Sequence, residues 1–171
     1  MKLKYSIVFL LSILLISCQP KKQETTTEQP APEKIQPTIN DLPNLNVNDV
    51  NGSTLQLQDL GGEIALIFFN PDCDHCQNQA KLITAKKDLF SGKQLYFVTA
   101  AGVPELTRFI SDYNMKEQNY HFSHANPAEV INSVGTFSAM PTIFIYKDKK
   151  RIAKFEGTTP AEDIANVFTV K

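Results

Sequence analysis

Cysteine is scarce in this sequence: Cys18, Cys73 and Cys76 are the complete set. Cys73 and Cys76 form one Cys-x-x-Cys pair, and no second pair exists to finish a four-thiolate zinc site. Long apolar runs are missing too. Ile7 to Ile16 is apolar apart from Ser12, well short of the roughly 20 residues a membrane-spanning helix needs. There is no basic excess, the formal charge being −1, and no basic stripe. Lys147 to Arg151 reads as a hairpin turn, so no nucleic-acid partner is expected. No segment repeats at a solenoid period. Tryptophan is absent altogether.

What is present starts with a leader. Met1-Lys2-Leu3-Lys4 is a short basic region, and the apolar core behind it reads as an export signal. The core ends in Leu15-Ile16-Ser17-Cys18. That tetrad resembles the lipobox of bacterial lipoproteins, which implies a signal peptide over 1–17 and lipidation of Cys18. Several acyl chains on Cys18 would meet the requirement for stable anchoring. Gln19 carries no aspartate-type inner-membrane retention signal. The expected location is therefore the cell envelope: lipid-anchored and periplasmic, on the outer membrane before the inner, or on the extracellular side. Loss of the leader takes Lys2 and Lys4 with it and moves the formal charge to −3.

Residues 18–44 hold Pro20, Pro30, Pro32, Pro37 and Pro43, three consecutive threonines (Thr25, Thr26, Thr27) and little to bury. This composition suits a tether. At ~3 Å per residue it would span some tens of ångströms. The remaining stretch, 45–171, is long enough for one domain with its own core.

Within it, strands and helices alternate. Leu45 to Leu57 reads as a hairpin about Asn51-Gly52. Asp59-Leu60-Gly61-Gly62 leads into Ile64-Ala65-Leu66-Ile67-Phe68-Phe69, an apolar run of the kind covered on both faces. A helix is expected from about Cys73 to Phe90, burying Cys76, Ala80, Ile83 and Phe90, with Ser91-Gly92 as its stop. Leu95 to Thr99 is a second central strand, and Pro104 opens a helix carrying Leu106, Phe109, Ile110 and Tyr113. Asn126-Pro127-Ala128-Glu129 and Thr159-Pro160-Ala161-Glu162 both look like capped helix starts. Pro141 to Tyr146 and Arg151 to Phe155 form a hairpin around Lys147 to Lys150, between those two helix starts. The sum is a layered α/β domain on a mixed sheet.

Three chemistries compete for Cys73 and Cys76. A metal site would need further ligands, and His121 and His124 repeat the spacing of the thiols. A structural staple fits an exported protein, but it would close almost no loop and gain little. Thiol–disulfide exchange fits the placement best. Cys73 should lie in the first turn of a helix, where backbone N–H groups and the positive end of the helix favour a thiolate. Cys76, one turn on, faces the core. Cys73 is then the attacking sulfur and Cys76 the resolving one.

Here the chain resembles the thioredoxin-like superfamily. Cys73-Asp74-His75-Cys76 matches its active-site motif, and Met140-Pro141-Thr142 matches the segment bearing its cis-proline. The resemblance runs from about Leu45 to Lys171. With its leading hairpin and added helix it is similar to the exported, membrane-attached members of the redoxin branch. It implies a thioredoxin-like mixed sheet flanked by helices, a reversible Cys73–Cys76 disulfide, and no cofactor or bound metal. Pro141 is expected beside that disulfide, with Met140 offering main-chain hydrogen bonds to a bound thiol partner. Implied partners are protein thiols or disulfides, a membrane electron donor, and the membrane itself through Cys18, with a monomeric soluble domain. Reduction of extracytoplasmic proteins is the first expectation, and the direction stays open. The alternatives are an envelope copper-binding or cytochrome-assembly protein on the same fold, and a peroxiredoxin-like peroxidase. The usual proline-to-threonine-to-cysteine pattern of peroxiredoxins is absent, since Pro71 lies two residues before Cys73.

The departures matter. Asp72 stands where thioredoxins carry tryptophan. Ile67 occupies the place of their buried acid, and Gln79 that of a glutamate common in exported apocytochrome reductases. No proton acceptor for Cys76 can be named from these positions. His75 precedes the second cysteine, as in the strongly oxidising periplasmic member of the superfamily. A protonated His75 near Cys73 would favour the thiolate, and Asp72 and Asp74 would oppose it.

Overall fold

The computed structural model describes residues 40–169. The leader, Cys18 and most of the tether lie outside them. Ordered packing begins by Asn40, within the stretch whose composition reads as tether. Leu42 is 3% exposed, the Asp41 N–H donates to the Lys149 carbonyl, and the Asp41 carboxylate accepts from the Arg151 N–H.

Seven strands form one sheet: β1 (Asn46–Asp49), β2 (Thr54–Gln56), β3 (Glu63–Phe68), β4 (Gln94–Thr99), β5 (Tyr120–His124), β6 (Thr142–Lys147) and β7 (Lys150–Glu156). Their order is β2-β1-β5-β4-β3-β6-β7. β3, β4 and β5 run parallel. β6 is antiparallel to β3 and β7 to β6, while the β1–β2 hairpin is antiparallel and joins β5. The helices are α1 (Asp74–Ala85), α2 (Val103–Asp112), α3 (Pro127–Val134) and α4 (Ala161–Val167). The mixed sheet with flanking helices and a leading hairpin is the architecture expected of a thioredoxin-like domain.

The period of two along a strand sorts the apolar residues into two layers. Ala65, Ile67 and Phe69 join Cys76, Ala80, Ile83, Ile143 and Ile164 on the side of α1 and α4. Ile64, Leu66 and Phe68 face the other way, with Leu42, Val47, Leu57, Val130 and Phe144. The strand is therefore buried on both faces, which is why its sequence lacks alternation.

Three local expectations change. The helix after Cys73 ends at Ala85 and gives way to a separate 3-10 turn over Lys87–Phe90. Strand β5, unforeseen, carries both His121 and His124. Its sequence, Tyr-His-Phe-Ser-His, is too polar to advertise a strand, and pairing with β4 fixes it. At α4 the N-cap residue is Pro160 and no side chain caps it, so Thr159 does not act as the cap. At α3, by contrast, the Asn126 side chain accepts from the Ala128 N–H at 2.9 Å.

Candidate functional site

β3 ends against β4, where the Phe69 N–H donates to the Val98 carbonyl. The chain then turns sharply. The Asn70 side chain accepts from the Asp72 N–H at 2.9 Å, and the Cys73 N–H donates to the Asn70 carbonyl at 3.1 Å. This turn delivers Cys73 to the N-cap of α1 in an extended conformation. Its carbonyl accepts the first helical bond, from the Gln77 N–H, and the Gln77 side chain donates back to the Pro71 carbonyl at 3.0 Å. The turn is thus fixed at both ends.

The two sulfurs have different environments. Cys73 is half-buried and Cys76 is 2% exposed. Burial pushes the Cys76 thiol up to about 12; the neighbouring Cys73 adds to the rise, and the Asn70 N–H opposes it. That N–H donates to the Cys76 sulfur at 3.4 Å. At neutral pH Cys76 is a protonated thiol. Helix position carries this asymmetry: the N-cap looks outward, and the third residue of the helix looks into the core.

The Met140–Pro141 bond is cis. Pro141 precedes β6, whose Thr142 pairs with Phe68 at the end of β3. Register therefore brings the proline segment beside the turn. Pro141 and Cys76 line a void of about 10 Å³ with Ile67 and Gln79, too small to bring bulk solvent to the buried thiol. No carboxylate lines it. Gln79 is 2% exposed and is engaged at both ends: its amide donates to the Thr159 carbonyl at 3.0 Å, and its oxygen accepts from the Thr159 N–H at 2.7 Å. The Met140 side chain packs against both apolar layers and borders an open groove of about 480 Å³. Asn70, Asp72, Val130, Ile131 and Phe137 also line that groove.

Among the other sequence candidates, His75 is exposed and its Nδ1 lies 3.3 Å from the Thr158 hydroxyl. Asp72 pairs with Arg108 at 3.5 Å on the surface, so the negative charge set against the Cys73 thiolate is partly offset. His121 lies on β5, its Nε2 2.7 Å from the Gln94 amide oxygen and its ring stacked on Tyr96. Burial holds its imidazole below the usual range. Among the described residues no group of three or more His, Cys, Asp or Glu side chains is placed to hold a metal. Asn70, Arg108 and Thr158 were not singled out by sequence. Asn70, in Asn70-Pro71-Asp72, carried a turn signal that the thiol motif overshadowed.

The sheet, the turn and the paired thiols define the class: a thioredoxin-like oxidoreductase that works through its cysteine pair. The chain belongs to the AhpC/TSA family, whose profile matches residues 39–155. Among solved structures, it is similar to DsbF of Mycobacterium tuberculosis (TM-score 0.63, 16% identity, 74% of this chain and 93% of that one). It is also similar to a secreted disulfide oxidoreductase of the same organism homologous to E. coli DsbE (TM-score 0.60, 15% identity, 74% and 95%). A third likeness is to the M. tuberculosis peroxidoxin BcpB (TM-score 0.61, 13% identity, 75% and 96%). At these identities the likeness is one of fold. No curated protein matches the chain in sequence.

Proposed function

We propose that this protein is a lipid-anchored thiol–disulfide oxidoreductase of the cell envelope, exchanging electrons with extracytoplasmic proteins through Cys73 and Cys76. The observation that carries this reading is the unequal pair: Cys73 half-open at the helix N-cap, Cys76 enclosed and protonated beside Pro141. In the reducing direction the Cys73 thiolate attacks a substrate disulfide. A Cys73–substrate disulfide forms and one substrate sulfur leaves. Cys76 then gives up its proton to a departing substrate sulfur and attacks Cys73, releasing the second sulfur. Two electrons pass to the substrate, and a Cys73–Cys76 disulfide remains. Run backwards, the steps oxidise a dithiol.

Met140 contributes main-chain contacts to the incoming polypeptide, and the groove beside it receives the substrate flanking its cysteine. Ile131, 54% exposed on the rim, supplies apolar area. Cys18 carries the lipid, and the segment behind it sets the distance from the bilayer. Solved relatives of this fold include a secreted oxidoreductase, which supports the extracytoplasmic setting. Recharging of the disulfide or dithiol falls to a membrane electron carrier.

The test is trapping. Cys76→Ser should accumulate a mixed disulfide with substrate, and Cys73→Ser should trap nothing. Equal behaviour of the two variants would contradict the role assignment. Hydrogen peroxide offered in place of a protein disulfide separates this reading from a thiol peroxidase, which would consume it at the cost of a dithiol donor.

A further inference from the structure

Charge is sorted along the axis of β3. β3, β4 and β5 run parallel and end on the thiol side, and the helices that follow them open on acids: Asp74, Glu105 and Glu129. Bases gather where those strands begin. Lys86 and Lys87 follow α1, Lys93 precedes β4, Lys116 lies ahead of β5, and the β6–β7 turn carries Lys147, Lys149, Lys150 and Arg151. Register sets the two ends apart: Glu63 pairs with Lys147, and Phe68 with Thr142, about 17 Å further along the strand. Acids at helix starts complement the helix dipole. The bases of the turn belong to no helix, so that cause does not extend to them.

Among the described residues, Lys149, Lys150 and Arg151 have no carboxylate at ion-pair distance. The acids on the adjoining segments are Asp41, Asp59 and Asp148, and the first is bonded to the Arg151 main chain. β7 also gains a residue here: Ala153 pairs with Ile145 and Arg151 with Tyr146, leaving Ile152 between them as a bulge. A bulge re-aims the side chain it carries. Ile152 is 41% exposed, beside exposed Lys150 and Arg151.

The described chain begins at this same turn. The Asn40 amide and the Lys149 ammonium share the Gln58 carbonyl, at 3.0 and 3.2 Å, and the Asp41 N–H donates to the Lys149 carbonyl at 2.9 Å. Residues 19–39 therefore join Cys18 to the domain beside its basic turn, over no more than some tens of ångströms. With a lipid on Cys18, docking of the turn is an intramolecular event, and a modest attraction suffices. Basic residues with an exposed apolar neighbour suit an anionic lipid surface. The acids at the thiol end are repelled by it.

We propose that the β6–β7 turn is a docking surface for anionic lipid headgroups. Lys149, Lys150 and Arg151 meet the charge and Ile152 the acyl boundary, so that the docked domain holds Cys73 away from the bilayer. The inference rests on the anchored reading above. Docked, the thiol centre serves proteins of the aqueous compartment, and a membrane carrier must present its thiols well above the headgroups.

The test uses the full lipidated chain on phosphatidylcholine vesicles with and without phosphatidylglycerol. Hydrogen exchange of residues 147–152 should slow on the anionic vesicles and recover in high salt. Each basic residue near such a surface contributes about fivefold to the docking constant. The Lys149→Gln/Lys150→Gln/Arg151→Gln variant should therefore dock about a hundredfold more weakly and lose the protection, with exchange of β3 and the redox midpoint unchanged. Ile152→Ser should weaken docking too, without altering its salt dependence. In a Cys76→Ser background, a fluorophore on Cys73 should be quenched less by a headgroup-bound quencher on anionic vesicles than on neutral ones. Equal exchange on both vesicles, protection that survives the triple variant, or stronger quenching on the anionic ones overturns the inference alone. A chain that leaves the vesicles without detergent has no acyl anchor; that result overturns the anchored reading, and this inference with it.

Discussion

The N-terminal end of β3 is built on charge, and its C-terminal end on uncharged polar groups. Glu63, where the strand begins, is bonded by Lys93 just before β4 and lies 3.4 Å from Lys147 at the end of β6. The Lys93 hydrogen bond, with help from Lys147, holds the Glu63 carboxyl below its ordinary range. At the other end Phe68 leads into the thiol turn, where Gln79 and Thr159 satisfy each other and the Asn70 N–H meets the buried Cys76 sulfur, the one ion pair of the turn, Asp72–Arg108, lying on the surface. Solvent screens the first arrangement and contributes little to the second. The charged end can lose a member cheaply, because water replaces the partner. The thiol end cannot, because a buried N–H or carbonyl left alone keeps its full desolvation cost.

The largest expected effect at the thiol end is chemical. Cys73→Ser should bring disulfide exchange to background, measured as reduction of a protein disulfide, while leaving the fold intact. Next comes Gln79→Ala, which strands both main-chain groups of Thr159. It should cost about 2–3 kcal/mol in urea unfolding, well above the effect of Glu63→Gln. If the two substitutions cost the same, the contrast between the ends is wrong.

A third effect is a pH slope confined to the reduced protein. The folded Cys76 value, about 12, lies above the ordinary thiol value of about 8.5, so the folded state keeps its proton longer than the unfolded one. Stability from this group is complete below the unfolded value and is lost as pH rises towards the folded one. Denaturation of the reduced chain across that alkaline window should show the loss. Cys76→Ser should not. The smallest effect belongs to Glu63→Gln, a minor loss that salt reduces. Glu63 titrates with the opposite sign, its contribution present at neutral pH and lost as pH falls through its lowered value.

Much of this was legible in the sequence. The doubly buried β3, the Asn51-Gly52 hairpin, the Asn126 cap and the Cys-x-x-Cys turn each carry a local signal strong enough to stand alone. The proline before β6 was marked by its place ahead of a β-branched run. What escaped was non-local. Strand β5 exists because β4 and β1 flank it, and its own residues argue weakly for a strand. Gln79 could be read only as a missing acid, because its partner Thr159 is 80 residues away. Arg108 and Thr158 reach the site from α2 and from the β7–α4 loop, and neither has a sequence neighbour that announces it. Composition placed the domain edge at Leu45, where a few specific bonds begin it by Asn40.

The most direct measurement is the redox titration of the full chain against defined glutathione ratios, with both thiols followed by alkylation and mass. The account predicts one reversible two-electron transition in which Cys73 and Cys76 are oxidised together. Its midpoint should fall between the potentials of about −270 mV and about −120 mV that bound thioredoxin-like reductants and oxidants. Thiols that oxidise independently, or show no reversible transition, would contradict it.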